Sequence, residues 1–357
     1  MRAPLRHHDR VREIAFDGTR GNFYDFFKTT NCTFPVLESL TFRFRWSDEE
    51  KIPDTFLRRR LKLLNVSLTF LSGFILSAMA LTELYLRIDI AFGSSAETSL
   101  LACLQGMHCL CHLDLSMLSI SFGPNSQSTP KDIVPLPKLS YFSYVGYSIF
   151  LDALVAGLSA PSLRDVRIVH QVMVSLPFVH LSRFINDIEE HYHAAHLSLK
   201  DWVISLSLLT QSEYISHCNS RVKLGSPSSN SRELIMQMSG VLSAMLPTVG
   251  ELHITFDDSP VNWVRDILWR WFLQQFPNLK TLRTEGKKIY GFARSFLQDQ
   301  EEPVDDSTFL PSLEQIELGK NPLLTNEGRC GPQLAALQRF ISAPQQAGRP
   351  VKLSFGL

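Results

Sequence analysis

The stretch Pro277-Asn-Leu279-Lys-Thr-Leu282-Arg-Thr284 decides the reading of this chain, because its pattern keeps returning. A proline is followed, after one residue, by Leu or Val; two residues intervene before a second apolar residue, and one more before a third position that is apolar or β-prone. The pattern is found again at Pro35-Val-Leu37-Glu-Ser-Leu40-Thr-Phe42, Pro137-Lys-Leu139-Ser-Tyr-Phe142-Ser-Tyr144 and Pro161-Ser-Leu163-Arg-Asp-Val166-Arg-Ile168. Two further copies are Pro247-Thr-Val249-Gly-Glu-Leu252-His-Ile254 and Pro311-Ser-Leu313-Glu-Gln-Ile316-Glu-Leu318. The last two positions are two apart, so in an extended chain they share one side while the residues between them point to the other. Proline fixes φ and donates no N–H, which suits a place just ahead of a strand ladder. The motif reads as a strand entry.

The same strand without its proline is read at Val11-Arg-Glu-Ile14-Ala-Phe16, Leu61-Lys-Leu-Leu64-Asn-Val66, Leu81-Thr-Glu-Leu84-Tyr-Leu86 and Leu110-Cys-His-Leu113-Asp-Leu115. First apolar positions follow one another at 26, 24, 20, 29, 29 and 24 residues from Val11 to Leu163, then at 30 and 34 from Val249 to Leu313. This brackets the leucine-rich period of roughly 20 to 29 residues. Helix-period stretches lie between strands: Phe150, Leu151, Leu154, Val155 and Leu158; Leu181, Phe184, Ile185 and Ile188; Trp263, Val264, Ile267, Leu268, Trp271 and Phe272. The expected fold is α/β, a leucine-rich-repeat-like curved solenoid with parallel strands on the concave face and helices on the convex face.

A single irregular solenoid is expected over 1–357, with regular repeats at 11–169, an irregular insertion at 170–246, and C-terminal repeats with a last strand at 247–357. Within the insertion, Ala194 to Leu199 and Val203 to Leu208 read as strands of a hairpin through Lys200-Asp201-Trp202. Leu224 to Ser231 reads as a loop, with Ser231 capping a helix that runs to about Met245. Gln298 to Asp306 reads as an acidic surface loop and Val351 to Phe355 as the last strand.

Hydrophobic residues make up 45% and charged residues 20% of the 357, enough apolar material for a sizeable core. The 35 Lys plus Arg balance 35 Asp plus Glu, and a chain without a basic field is not expected to bind nucleic acid or an anionic membrane. The most apolar run, Val66 to Leu81, is shorter than the about 20 residues a spanning helix needs, and reads as a buried strand followed by a short buried helix. The polar, basic start Met1-Arg2-Ala3-Pro4-Leu5-Arg6-His7-His8 is not followed by an apolar run and does not read as a secretory signal. Cys32, Cys103, Cys109, Cys111, Cys218 and Cys330 have no framework spacing and are expected to be free thiols, which fits a cytoplasmic or nuclear location. The acceptor patterns Asn31-Cys32-Thr33 and Asn65-Val66-Ser67 would be silent there.

Chemistry-bearing clusters resolve into plainer readings. His108-Cys109-Leu110-Cys111-His112, with Cys103 upstream, is the densest set of soft ligands, but alternation along a strand sends neighbours to opposite faces, and a zinc site needs four converging groups. His191, His193 and His196 read as an exposed edge of the insertion, with Glu189 and Glu190 as a charged helix end. Trp263 and Trp271 read as core with Ile267. No phosphate loop, nucleophile elbow or metalloprotease helix is found. No catalytic residue, metal site or cofactor is expected, and the chain does not read as an enzyme.

The strand positions that alternate away from the core are the candidates for binding: Ser39 and Thr41, Glu83 and Tyr85, His112 and Asp114, Tyr141 and Ser143, Asp165 and Arg167, Glu251 and His253, Thr281 and Arg283, Gln315 and Glu317. Tyr and Arg are enriched in protein interfaces. Tyr85, His112, Asp114, Tyr141, Asp165, Arg167, His253 and Arg283 are the expected protein-binding residues.

The runs Arg10-Val11-Arg12-Glu13-Ile14-Ala15-Phe16-Asp17-Gly18 and Pro53-Asp54-Thr55-Phe56-Leu57 carry a family resemblance. So do Leu100-Leu101-Ala102-Cys103-Leu104-Gln105-Gly106-Met107, leading to Leu113-Asp114-Leu115, and the ending Gln345-Gln346-Ala347-Gly348-Arg349-Pro350-Val351. Together they resemble the C-terminal leucine-rich-repeat-like part of fungal F-box proteins, particularly those expanded in mushroom-forming basidiomycetes. The resemblance implies a receptor subunit: an N-terminal F-box docks on the Skp adaptor of a cullin-RING ubiquitin ligase, and the repeats present a target protein. The first repeat strand begins at Val11, leaving no room for that helical module. The chain is therefore expected to be a fragment lacking its F-box, or a repeat protein that no longer engages the ligase. The expected function is a non-catalytic interaction scaffold, the substrate-recognition part of such a receptor for an unknown target; the alternative is an orphan or decayed structural repeat protein with no ligase role.

Overall fold

A computed structural model of the chain describes residues 4–17, 33–46, 60–68, 80–88, 91–92, 96–117, 120–121, 132–172, 178–188, 191–200, 203–210, 222–227, 231–256, 269–286, 310–319 and 351–355. Each of the six prolines occupies the second position of a tight turn. The residue two after it donates its N–H to the carbonyl of the residue before it, as in Leu37 to Phe34, Leu139 to Leu136, Leu163 to Ala160, Val249 to Leu246, Leu279 to Phe276 and Leu313 to Leu310, at 3.1–3.3 Å. Proline's fixed φ favours that position, where its missing N–H is not needed. A strand begins four residues after every one of these prolines.

The chain divides into two compact units, Met1–Gln171 and Val172–Leu357. The first contains β1 (Glu13–Phe16), β2 (Ser39–Trp46), β3 (Leu63–Leu68), β4 (Glu83–Ile88), β5 (Ala91–Phe92), β6 (His112–Met117), β7 (Ile120–Ser121), β8 (Val134–Pro135), β9 (Tyr141–Tyr147), β10 (Leu158–Ser159) and β11 (Asp165–Val172), which runs to its boundary. The long strands lie side by side in the order β1-β2-β3-β4-β6-β9-β11, and those from β1 to β9 pair in parallel. Register places Leu40, Leu64, Leu84, Leu113 and Phe142 opposite one another, each 0% exposed. The first apolar positions Leu37, Leu61, Leu81, Leu110, Leu139 and Leu163 are buried beside them.

Helix α1 (Ala96–Leu104) buries Leu100, Leu101, Cys103 and Leu104. Helix α2 (Ser148–Ala156) buries Phe150, Leu151, Leu154 and Val155, four of the five residues expected on that face. Leu158 is also buried, but from β10: the helix stops at Gly157, and the chain then extends to pair with β8.

The second unit contains α3 (Val179–Asn186), β12 (Ala194–Lys200), β13 (Val203–Leu209), β14 (Val222–Pro227), α4 (Ser231–Val241), β15 (Glu251–Phe256), α5 (Trp269–Gln274), β16 (Thr281–Glu285), β17 (Gln315–Leu318) and β18 (Lys352–Phe355). Its strand order is β14-β13-β12-β15-β16-β17-β18. From β12 onward through β15 to β18 the pairing is parallel, whereas β13 runs antiparallel to both β12 and β14. The expected hairpin is therefore present, with Ala194 opposite Leu209 and Lys200 opposite Val203.

Several expectations are corrected. The loop expected from Leu224 is strand up to Pro227, because Val222 and Leu224 face Leu208 and Leu206 across the ladder while the small Gly225 and Ser226 sit against Ser205 and Ile204. Pairing outweighs the turn-like composition here. Helix α4 begins at Ser231 but ends at Val241, and a 3₁₀ turn at Leu246–Thr248 carries the chain to β15. In α5 the buried residues are Trp269, Arg270, Phe272 and Leu273, while Trp271 is half-buried. Trp269, Phe272, Leu273 and Phe276, all 0% exposed, follow i, i+3, i+4, i+7 spacing, so the helix phase is shifted from the one that put Trp271 inside.

Trp263, Val264, Ile267, Leu268, the acidic stretch 298–306, and Cys32, Cys218 and Cys330 lie outside the described residues. Helix α3 buries Leu181, Phe184 and Ile185 as expected, with Ile188 buried just past its end. No helix among the described residues is long and apolar enough to cross a membrane.

Leu282, in register with Leu252 and Ile316, is 0% exposed. Leu282→Ala is expected to destabilise the chain by about 2 to 5 kcal/mol, read from the shift of a urea unfolding midpoint. Gly286 has φ +106, and a Cβ there would run into the carbonyl of Phe256. Gly286→Ala is expected to lower stability by about 1 to 3 kcal/mol in the same assay.

Candidate protein-binding face

The residues between the core positions of each strand form two rows on the other side of the ladder. Parallel register sets Glu13, Ser39, Leu63, Glu83, His112 and Tyr141 in one row and Ala15, Thr41, Asn65, Tyr85, Asp114 and Ser143 in the next. Neighbouring strands are about 4.8 Å apart, so residues in a row are within contact distance. Asp165 is fixed beside Tyr141, since the amides of both Arg164 and Asp165 donate to the Ser140 carbonyl. Arg167 is exposed two residues on.

Aromatic rings link three of these strands. The His112 ring stacks on Tyr141 with centroids 4.1 Å apart and planes 14° from parallel, and Tyr85 leans on its other side at 4.8 Å and 36°. The Tyr85 hydroxyl donates to Glu83 Oε2 at 3.2 Å. Burial pushes the His112 imidazole below the ordinary histidine value against the pull of Asp114 and Glu83, so this ring is uncharged at neutral pH. Burial raises the Asp114 carboxyl, opposed by His112, a hydrogen bond from Ser143 and the Arg167 charge. Burial and the Glu83 carboxylate raise the Tyr85 phenol.

The structure thus gathers six of the sequence-predicted residues, Tyr85, His112, Asp114, Tyr141, Asp165 and Arg167, on one face of the first unit. The other two, His253 and Arg283, lie opposite one another on β15 and β16 of the second unit. There His253 stacks on His196 with centroids 5.0 Å apart, and His196 Nε2 lies 2.8 Å from Thr255 Oγ1. His196, expected at an exposed edge, is 6% exposed, because β12 pairs with β15 and sets the two imidazoles side by side. His191 and His193 are exposed ahead of β12. Arg283 Nε pairs with Glu317 Oε2 at 2.8 Å, and His253 Nε2 lies 3.4 Å from Glu285 Oε1, an ion pair only when the ring is protonated. Burial, helped by Arg283, holds His253 below the ordinary value.

The cysteine–histidine run also differs from expectation. Residues 105–111 form turns rather than a strand, which starts at His112; Cys109 and Cys111 are half-buried thiols and Cys103 is buried. Among the described residues no three His, Cys, Asp or Glu side chains come together as a metal-binding group.

Acidification is expected to weaken the fold. His112, His253 and His170 of β11, the last held down to about 4 by burial, are all kept neutral in the folded chain. The unfolded chain protonates them near pH 6.5, so their contribution is intact above that value and is lost as pH falls. A group fully neutral in the fold and fully protonated in the unfolded chain contributes at most about 1.4 kcal/mol per pH unit, and His170, the most deeply buried of the three, comes nearest to that limit. Asp114, raised in the fold, opposes this only near the carboxylate range. Urea midpoints between pH 7.5 and 5 should fall with pH, and His170→Leu should flatten the dependence. In comparisons with known proteins, no family model matches the chain and no curated protein matches it in sequence.

Proposed function

We propose that this chain is a non-catalytic protein-interaction scaffold and the substrate-recognition part of an F-box receptor of the SCF ubiquitin-ligase type. In this reading the chain is a leucine-rich-repeat-like solenoid, with its parallel strands on the concave face and its helices on the convex face. The observation that carries it is the Tyr85–His112–Tyr141 ring column, with Arg167 close by, on side-chain rows that a strand ladder holds in place. Residues fixed in this way present a pattern with little ordering cost on binding. Tyr and Arg are the residue types that anchor protein interfaces. The target is a protein of the cytoplasm or nucleus; a Skp-type adaptor enters only through an F-box upstream of the repeats. No cofactor, nucleic acid or membrane takes part.

Proximity labelling in cells, followed by pull-down of the labelled target with Tyr85→Ala/Arg167→Ala, tests the proposal. The double variant is expected to lose the target. Its thermal unfolding should shift by no more than the about 0.5 to 1.5 kcal/mol attached to one aromatic contact. If binding survives and is abolished instead by changes in the Lys200 to Ser231 segment, the insertion carries recognition and the face assigned here does not.

A further inference from the structure

The two units treat the charges on their outward rows differently. On β16 and β17 the Glu317 carboxylate is matched by Arg283 at 2.8 Å, while the neutral His253 ring lies 3.4 Å from Glu285. On β4 and β6, Glu83 and Asp114 flank the ring column, and among the described residues neither has a cationic partner within 4 Å. Among the described residues the Glu83 side chain accepts the Tyr85 hydroxyl, and Asp114 takes a hydrogen bond from Ser143 and feels the Arg167 charge without pairing to it. The column ends at Tyr85 on this side, because the residue opposite it on β3 is Asn65, which carries no ring to continue the stack. Tyr85 thus terminates an aromatic stack beside two carboxylates, neither of which is in an ion pair with a described cation.

We infer that this corner, Tyr85 with Glu83 and Asp114, takes an arginine side chain of the partner protein. A guanidinium is planar, lies flat on an aromatic face, and offers a fork of N–H donors to a carboxylate, so one group meets both features. The compact lysine ammonium meets the charge but stacks less well. An acidic segment is disfavoured by the two carboxylates. The inference rests on the proposal that this face binds a protein, and specifies the chemistry of the segment it takes.

The test uses fluorescein-labelled octa-arginine, octa-lysine and octa-glutamate peptides titrated with the full chain at 0.15 M salt, read by anisotropy. The wild-type chain should bind octa-arginine several-fold more tightly than octa-lysine and leave octa-glutamate free. Glu83→Gln and Asp114→Asn should each weaken octa-arginine about tenfold, Tyr85→Leu should abolish the preference for arginine over lysine, and Arg167→Ala should not weaken it. If Tyr85→Leu unfolds, Glu83→Gln decides, since the glutamine oxygen still accepts the Tyr85 hydroxyl and the stack remains. Equal binding of octa-arginine and octa-lysine, or octa-arginine binding indifferent to Glu83→Gln, overturns the inference. A labelled target that needs Tyr85 while octa-arginine binding ignores Glu83 would sink the inference and keep the interaction face. Octa-arginine read by the corner, with a target indifferent to Tyr85, would do the reverse.

Discussion

Just ahead of most of the parallel strands, one carbonyl accepts two consecutive amide groups from the next repeat. Arg12 takes Glu38 and Ser39, Glu38 takes Lys62 and Leu63, Lys62 takes Thr82 and Glu83, Thr82 takes Cys111 and His112, Cys111 takes Ser140 and Tyr141, and Ser140 takes Arg164 and Asp165, all at 2.8–3.0 Å. In the second unit His193, Gly250 and Lys280 do the same for the repeats that follow them. Within each unit the residue that donates into this thread also accepts from the next one along. A one-residue slip at any link would turn the leucines outward and the polar rows inward along a whole strand. The buried leucine ladder and the ordered outward rows are both consequences of this one backbone link.

The thread makes no demand on side chains, which is why it could not be read from the sequence. Its members range from Glu38 and Lys62 to Gly250 and Cys111, and most are at least partly exposed. Pairs along it, such as Lys62 with Glu38 at 3.3 Å, are exposed ion pairs of small energetic weight. The proline and the leucines were legible because a turn requires a particular φ and the core requires apolar volume, and both select residue types.

Features that depend on pairing partners were not legible. Strand β14 carries Gly225, Ser226 and Pro227, which read locally as a loop, yet β13 supplies a ladder that accepts them. The burial of His196 follows from the pairing of β12 with β15, whose members are far apart in the chain. Of the candidate face, the rows were legible from alternation alone. The stack of His112 between two tyrosines was not, because Tyr85 joins it diagonally, reaching from its own row toward the next.

The antiparallel hairpin of β12 and β13 sets the order in which the second unit can assemble. Parallel neighbours such as β15 and β16 meet only after a loop of some thirty residues closes, whereas β12 and β13 are joined across two residues, 201 and 202. Loop closure slows with length, and hairpins form in roughly microseconds. The hairpin is thus a local nucleus whose free β12 edge can template β15, after which each strand templates the next toward β18. The ladder pairings from β1 to β9 in the first unit are all parallel, and the initial pairing among them must wait for a repeat-length loop. Pulse-labelled amide exchange would accordingly find protection at Leu197 and Leu206 before Leu64 and Leu84.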